Sequence, residues 1–180
     1  MNLRIKIVYN YYRNLNIFFR GIRMDINCET CYLYQIADIN LSSRTLKETT
    51  EINSSYKLID ESCIDIFKQR IINTKPVENF SMLYENVNIA RKGDIIFSLK
   101  QNFIKGELCA ALIEEDNILV SNNSFALIIP KDKNKSDDLM FLLKDDYVIS
   151  QIKPLDTGSN YFNITVKELN NILIPTQIQT

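Results

Sequence analysis

The chain has 180 residues, 46% of them hydrophobic and 24% charged, with a formal net charge of −1. That is room for one ordinary soluble domain with a real core, and four Gly and four Pro exclude a long flexible linker or a low-complexity tract. Histidine is absent, so a Ser-His-Asp triad, a Cys-His pair or a His-ligated metal would need an imidazole from another chain.

At the N-terminus Leu3, Ile5 and Ile7 alternate with Arg4 and Lys6, the pattern of a short strand. Tyr12, Leu15, Phe18, Phe19 and Ile22 then recur at helical spacing. With Arg4, Lys6, Arg13, Arg20 and Arg23, this end is either a solvated basic face or a contact to DNA phosphates. Residues 1–24 are read as a basic, aromatic extension and residues 25–180 as a single domain. Met24 marks either the domain's beginning or an alternative start site. No apolar run approaches the roughly 18 residues of a membrane span, and the N-terminus lacks a clean apolar signal core. The expectation is a cytoplasmic protein without a membrane partner and with Cys28, Cys31, Cys63 and Cys109 reduced. Cys28-Glu29-Thr30-Cys31 has CxxC spacing, but a structural zinc site needs two further ligands. A structural role for these thiols is preferred to a redox or metal role, and neither metal nor cofactor is expected.

From Cys31 onward the segments are short. Tyr32–Ile39 is a mostly apolar element, followed by the polar stretch Asn40–Thr50. Ile64–Phe67 and Ile71-Ile72 read as strand pieces separated by Lys68, Gln69 and Arg70. Asn88–Ala90 leads into the turn Arg91-Lys92-Gly93-Asp94, where Gly93 suits a positive φ and Asp94 suits closure through its carboxylate. Ile95–Leu99 follows as a buried strand, then Leu108–Ile113, Ile118–Val120 and Phe125–Ile129. Beyond Pro130 the pattern turns helical: Ser136 is the expected N-cap for Leu139–Leu143, and Tyr147–Ile152 suits a second helix. Gly158-Ser159-Asn160 is a turn, Thr165 with Glu168 predicts a capping box, and Leu173-Ile174 predicts a strand ended by Pro175. The fold class expected is α+β: a single mixed domain, strand-rich at its centre, with short helices toward the C-terminus.

The order of these pieces carries more than any one of them. Gly93-Asp94-Ile95-Ile96-Phe97-Ser98 is followed by a strand ending in Ile128-Ile129-Pro130, then by helical Leu139–Leu143 and the turn Gly158–Phe162. Val166-Lys167-Glu168-Leu169 leads into Leu173-Ile174-Pro175. Over Tyr32–Pro175 the series resembles the target-recognition domain of type I restriction-modification DNA specificity subunits. The resemblance implies a non-catalytic module for sequence-specific recognition of double-stranded DNA, partnered by methyltransferase (modification) and restriction subunits. A whole subunit of that kind resembles two such domains separated by long helices. This chain carries one and stops at Gln177–Thr180, where the family begins its spacer helix, so an isolated or excised module is expected. The alternative function is a protein-interaction or decoy module retaining the same fold.

Chemistry of its own is hard to find in the chain. It lacks the Asn/Asp-Pro-Pro-aromatic motif of adenine methyltransferases, a glycine-rich cofactor loop and a P-loop. Asp94 with Lys100 is the remaining pair from which a nuclease could be imagined. Lys68, Arg70, Lys75, Arg91, Lys92, Lys100 and Lys105 make residues 68–105 basic, and residues 114–146 are acidic, so the two form either opposed faces or mixed surface charge. The expected DNA contacts are Lys68, Arg70, Lys100, Gln101, Asn102, Lys105, Asn160 and Tyr161. Lys100, Gln101 and Asn102 follow the buried strand directly, and Asn160 and Tyr161 lie on the Gly158 turn. Gln and Asn pair with adenine bidentately, whereas Lys suits phosphate or guanine.

Overall fold

The computed structural model describes residues 28–47, 53–66, 68, 70–77, 86–101, 108–152 and 162–178. The strand and helix expected within residues 1–24 lie outside these. In chain order the described elements are β1 (Cys28–Tyr32), α1 (Leu33–Ile36), β2 (Ala37–Ile39), β3 (Lys57–Ile59), β4 (Ile64–Asp65), β5 (Arg70–Ile71), β6 (Lys75–Pro76) and β7 (Val87–Ala90). There follow β8 (Ile95–Ser98), β9 (Lys100–Gln101), β10 (Ala110–Leu112), β11 (Ile118–Ser121) and β12 (Phe125–Pro130). The last are α2 (Ser136–Leu142), α3 (Asp146–Ile152), β13 (Phe162–Asn163), α4 (Val166–Asn170) and β14 (Leu173–Ile178). This is the expected α+β class: a strand-rich centre, with its longer helices toward the C-terminus. Contacts divide the chain into two compact units, Cys31–Ile174 and the chain ends Met1–Thr30 with Pro175–Thr180. Among the described residues no helix is long and apolar enough to cross a membrane.

Within Cys31–Ile174 the core is built on one antiparallel sheet in the order β10-β8-β12-β2. Its central strands β8 and β12 are buried along their whole length. Period-two alternation divides their side chains between two faces. Ile95, Phe97, Ala126 and Ile128 pack against Leu139, Leu143, Val148, Ile152 and Leu169 of the helical side. Ile96, Phe125, Leu127 and Ile129 pack against Ile59, Ala90, Ile118 and Val120 of a second sheet, ordered β6-β3-β11-β7. In that sheet β3 and β11 run parallel and the other pairs antiparallel. A sheet covered on both faces needs apolar residues at every position, which is why β8 and β12 read as continuous apolar runs.

The turn before β8 forms as the sequence predicts. Gly93 has φ +84°, and Asp94 accepts a hydrogen bond from the Arg91 N–H at 2.8 Å. Thr165 and Glu168 form the expected capping box, the Thr165 hydroxyl accepting from the Glu168 N–H and the Glu168 carboxylate accepting from the Thr165 N–H. Two local expectations change. Ser136 lies inside α2 rather than capping it, and its hydroxyl donates to the Gly93 carbonyl at 2.7 Å. The N-cap position of α2 is Lys135, without a side-chain cap bond, and Asp132 caps the preceding 3-10 turn Lys133–Lys135 by accepting from the Asn134 N–H. Likewise β14 does not end at Pro175 but runs on to Ile178. Among the described residues β14 pairs with β1 alone, and a strand with an unpaired side is where a proline, lacking an N–H, is tolerated.

Candidate nucleic-acid interface

After Ser98 the chain bends at Leu99 and starts a new two-residue strand, β9, which pairs antiparallel with β13. Gln101 stands opposite Phe162, and Lys100 opposite Asn163. Flanking hydrogen bonds tie this small ladder to the core. The Leu99 N–H donates to the Ser124 carbonyl at 2.8 Å, and the Ile164 N–H donates to the Leu99 carbonyl at 2.9 Å. The buried Ser98 hydroxyl donates to the Lys100 carbonyl at 2.7 Å and lies 3.3 Å from the Glu61 carboxylate. Ser98 thereby links the ladder to the 3-10 turn Glu61–Cys63, from which the β4–β5 hairpin begins.

Alternation restarts on β9, and it separates two of the expected contact residues. Lys100 is exposed, whereas Gln101 is 1% exposed. The Gln101 side-chain amide donates to the Ser98 carbonyl at 2.7 Å and to the Cys109 carbonyl at 3.3 Å, and accepts from the Cys109 N–H at 2.7 Å. An amide engaged on both its oxygen and its nitrogen by buried peptide groups has nothing left to offer a base edge. Gln101 is therefore a pin between β8 and Cys109, which corrects the expectation that it projects from the strand end. Its burial was not legible from its position directly after the buried strand, where the sequence groups Lys100, Gln101 and Asn102.

The other expected residues fall into two groups. Lys68 and Arg70 are exposed on the β4–β5 hairpin, with Lys68 3.6 Å from the Asp65 carboxylate. Ile64 of that hairpin is buried in the same cluster as Cys109, with Ile71 packed against it. Asn102, Lys105, Asn160 and Tyr161 lie outside the described residues. Their anchoring positions do not: Asn102 follows Gln101 and Tyr161 precedes Phe162 in sequence, and Gln101 and Phe162 face each other across the ladder.

The basic stretch of the sequence is split in space. Arg91 and Lys92 are exposed at the start of β8, whereas Lys100 lies beyond its end. The four residues of β8 span roughly 13 Å. The start of β8 also carries the acidic turn: the Lys92 N–H donates to Asp116 at 3.0 Å, and the Gly93 N–H to the Ile113 carbonyl at 2.9 Å. Lys75 is bonded to Asp60, and this contact holds the Asp60 carboxyl down at about 2, with the Ser62 hydroxyl adding to the effect. Of the described cations in residues 68–105, Lys100 thus sits apart from the acidic turn.

The Asp94–Lys100 pair from which a nuclease could be imagined does not come together. Asp94 is fully buried and held by Lys133 and by Arg44, the latter at 3.6 Å, so it cannot join Lys100 across the length of β8. Burial pushes the Cys109 thiol up to about 11, with the Glu61 charge adding to the shift, which keeps it protonated and unreactive near neutrality. Among the described residues no group of three or more His, Cys, Asp or Glu side chains is placed to hold a metal ion. The residue missed from sequence on this ladder is Asn163, exposed on β13 between Phe162 and the buried Ile164. A polar residue between two apolar ones was its signal, but only the pairing with β9 makes that signal legible.

The fold is similar to that of solved chains from type I restriction-modification systems, in line with the resemblance carried by the ordered motifs of the sequence. A solved chain concerned with complex assembly and conformational transition of the type I restriction-modification system is similar over 87% of this chain and 40% of its own length. Its sequence identity is 20% and the TM-score 0.63. The HsdS subunit from Thermoanaerobacter tengcongensis is similar over 88% of this chain and 40% of its own, with 18% identity and a TM-score of 0.58. This chain therefore spans about 40% of the length of those solved chains. No protein-family model and no curated protein matches the sequence.

Proposed function

We propose that this chain is a non-catalytic module for sequence-specific recognition of double-stranded DNA, of the specificity-subunit kind, working with methyltransferase and restriction subunits. The single observation that carries the reading is the β9–β13 ladder, a pair of strands hydrogen-bonded to the core that bears the exposed Lys100 just past the end of the central strand β8. Rigid elements that present polar side chains from neighbouring loops are how a fold reads a groove. The fold match supports the same class. Lys68, Arg70 and Lys100 are the described residues assigned to phosphate or guanine. Asn102, Lys105, Asn160 and Tyr161 complete the set, and Gln101 serves as their support. Residues 1–24 act as a basic extension of the 25–180 domain.

The test is a selection by the full chain from a pool of random duplexes at controlled salt. The expected result is enrichment of a defined sequence, with affinity that falls steeply as salt rises and only modest preference, since a single module contacts less DNA than a two-domain subunit. Recovery of an unbiased pool, or binding indifferent to salt, contradicts the reading.

A further inference from the structure

Among the described side chains of the ladder, that of Asn163 has no role in the function above. We propose that Asn163 is a base-reading residue specific for adenine in duplex DNA, acting beside Lys100; this rests on the DNA-recognition reading and deepens it. Residues directly opposite each other in an antiparallel pair share a face, so Asn163 lies on the same side of the ladder as Lys100. Both are exposed, and Gln101, the next residue along, is turned inward. Among the described residues the Asn163 side-chain amide makes no hydrogen bond, whereas its backbone neighbours are fixed. Ile164 is buried and its N–H is bonded to Leu99 at 2.9 Å, and Thr165 caps α4. An uncommitted carboxamide on immobilised backbone meets adenine's requirements: its nitrogen donates to N7 while its oxygen accepts from the N6 amino group. The neighbouring cation supplies the phosphate contact that sets register.

Two substitutions in the full chain test this. Each is assayed against the duplex that the parent selects and against a random duplex of equal length, after thermal unfolding has shown the variant to be folded. Asn163→Ala should weaken binding to the selected duplex about tenfold or more and leave the random duplex within about twofold. A repeated selection with Asn163→Asp, which has lost its donor, should shift one position of the selected site from adenine toward cytosine, whose amino group a carboxylate accepts. If Asn163→Ala binds the selected duplex like the parent, or weakens both duplexes equally, the assignment is overturned while DNA recognition stands. If the parent itself enriches no sequence, the functional reading falls and the assignment falls with it.

Discussion

At the start of β8 a fully buried carboxylate, Asp94, is held by Lys133, Arg44 and the Arg91 N–H. Beyond its end a buried amide, Gln101, is held by the peptide groups of Ser98 and Cys109. The two pins do the same mechanical work, fixing a chain reversal to the central strand, but their chemistry leaves different surfaces. A buried charge requires counter-charges, so Arg44 and Lys133 are turned toward Asp94 and the acidic turn at residues 114–117 lies alongside. A buried neutral amide is satisfied by the backbone, and Gln101 needs no counter-charge. The far end of β8 keeps Lys100 and Asn163 on an exposed face. The start of β8 is thus held by buried charge, and its end, on the proposed function, is the side that meets DNA.

Substitution at the two pins should separate their energies. The largest effect is expected from Asp94→Ala, which leaves the mostly buried Arg44 guanidinium without its carboxylate and strands the Arg91 N–H. Removing one partner of a buried ion pair costs about 3–5 kcal/mol, to be read as a lower urea midpoint at unchanged slope. A loss below about 1 kcal/mol would show that the network is an ordinary surface pair. Gln101→Ala should cost less, about 1–3 kcal/mol, because it orphans neutral peptide groups at Cys109 and Ser98. Its distinguishing readout is faster hydrogen exchange at the Cys109 amide. Protection equal to that of the parent would mean that Gln101 does not pin this corner.

Much of this architecture was legible in the sequence, for identifiable reasons. β8 and β12 declare themselves because a strand covered on both faces must be apolar throughout, and the Gly93-Asp94 turn and the Thr165-Glu168 cap are local devices that three or four residues specify. The ladder was not legible. β9 and β13 are two residues each, and they are about sixty residues apart in sequence. Alternation on β9 starts afresh after the bend at Leu99, so nothing local decided that Lys100 faces out and Gln101 in. The same non-locality hid Ser136: its partner is the Gly93 carbonyl, 43 positions away, and not the helix it was expected to cap.

The claim that the end of β8, and not its start, faces DNA is tested most directly by the salt dependence of duplex binding in Lys100→Ala and Lys92→Ala compared with the parent. Both lysines are exposed, and they lie at opposite ends of the same strand. Each phosphate contact contributes about one unit to the slope of log affinity against log salt. The account predicts that Lys100→Ala makes the slope shallower by about one unit, while Lys92→Ala leaves it unchanged. A slope reduced by Lys92→Ala and untouched by Lys100→Ala would contradict it.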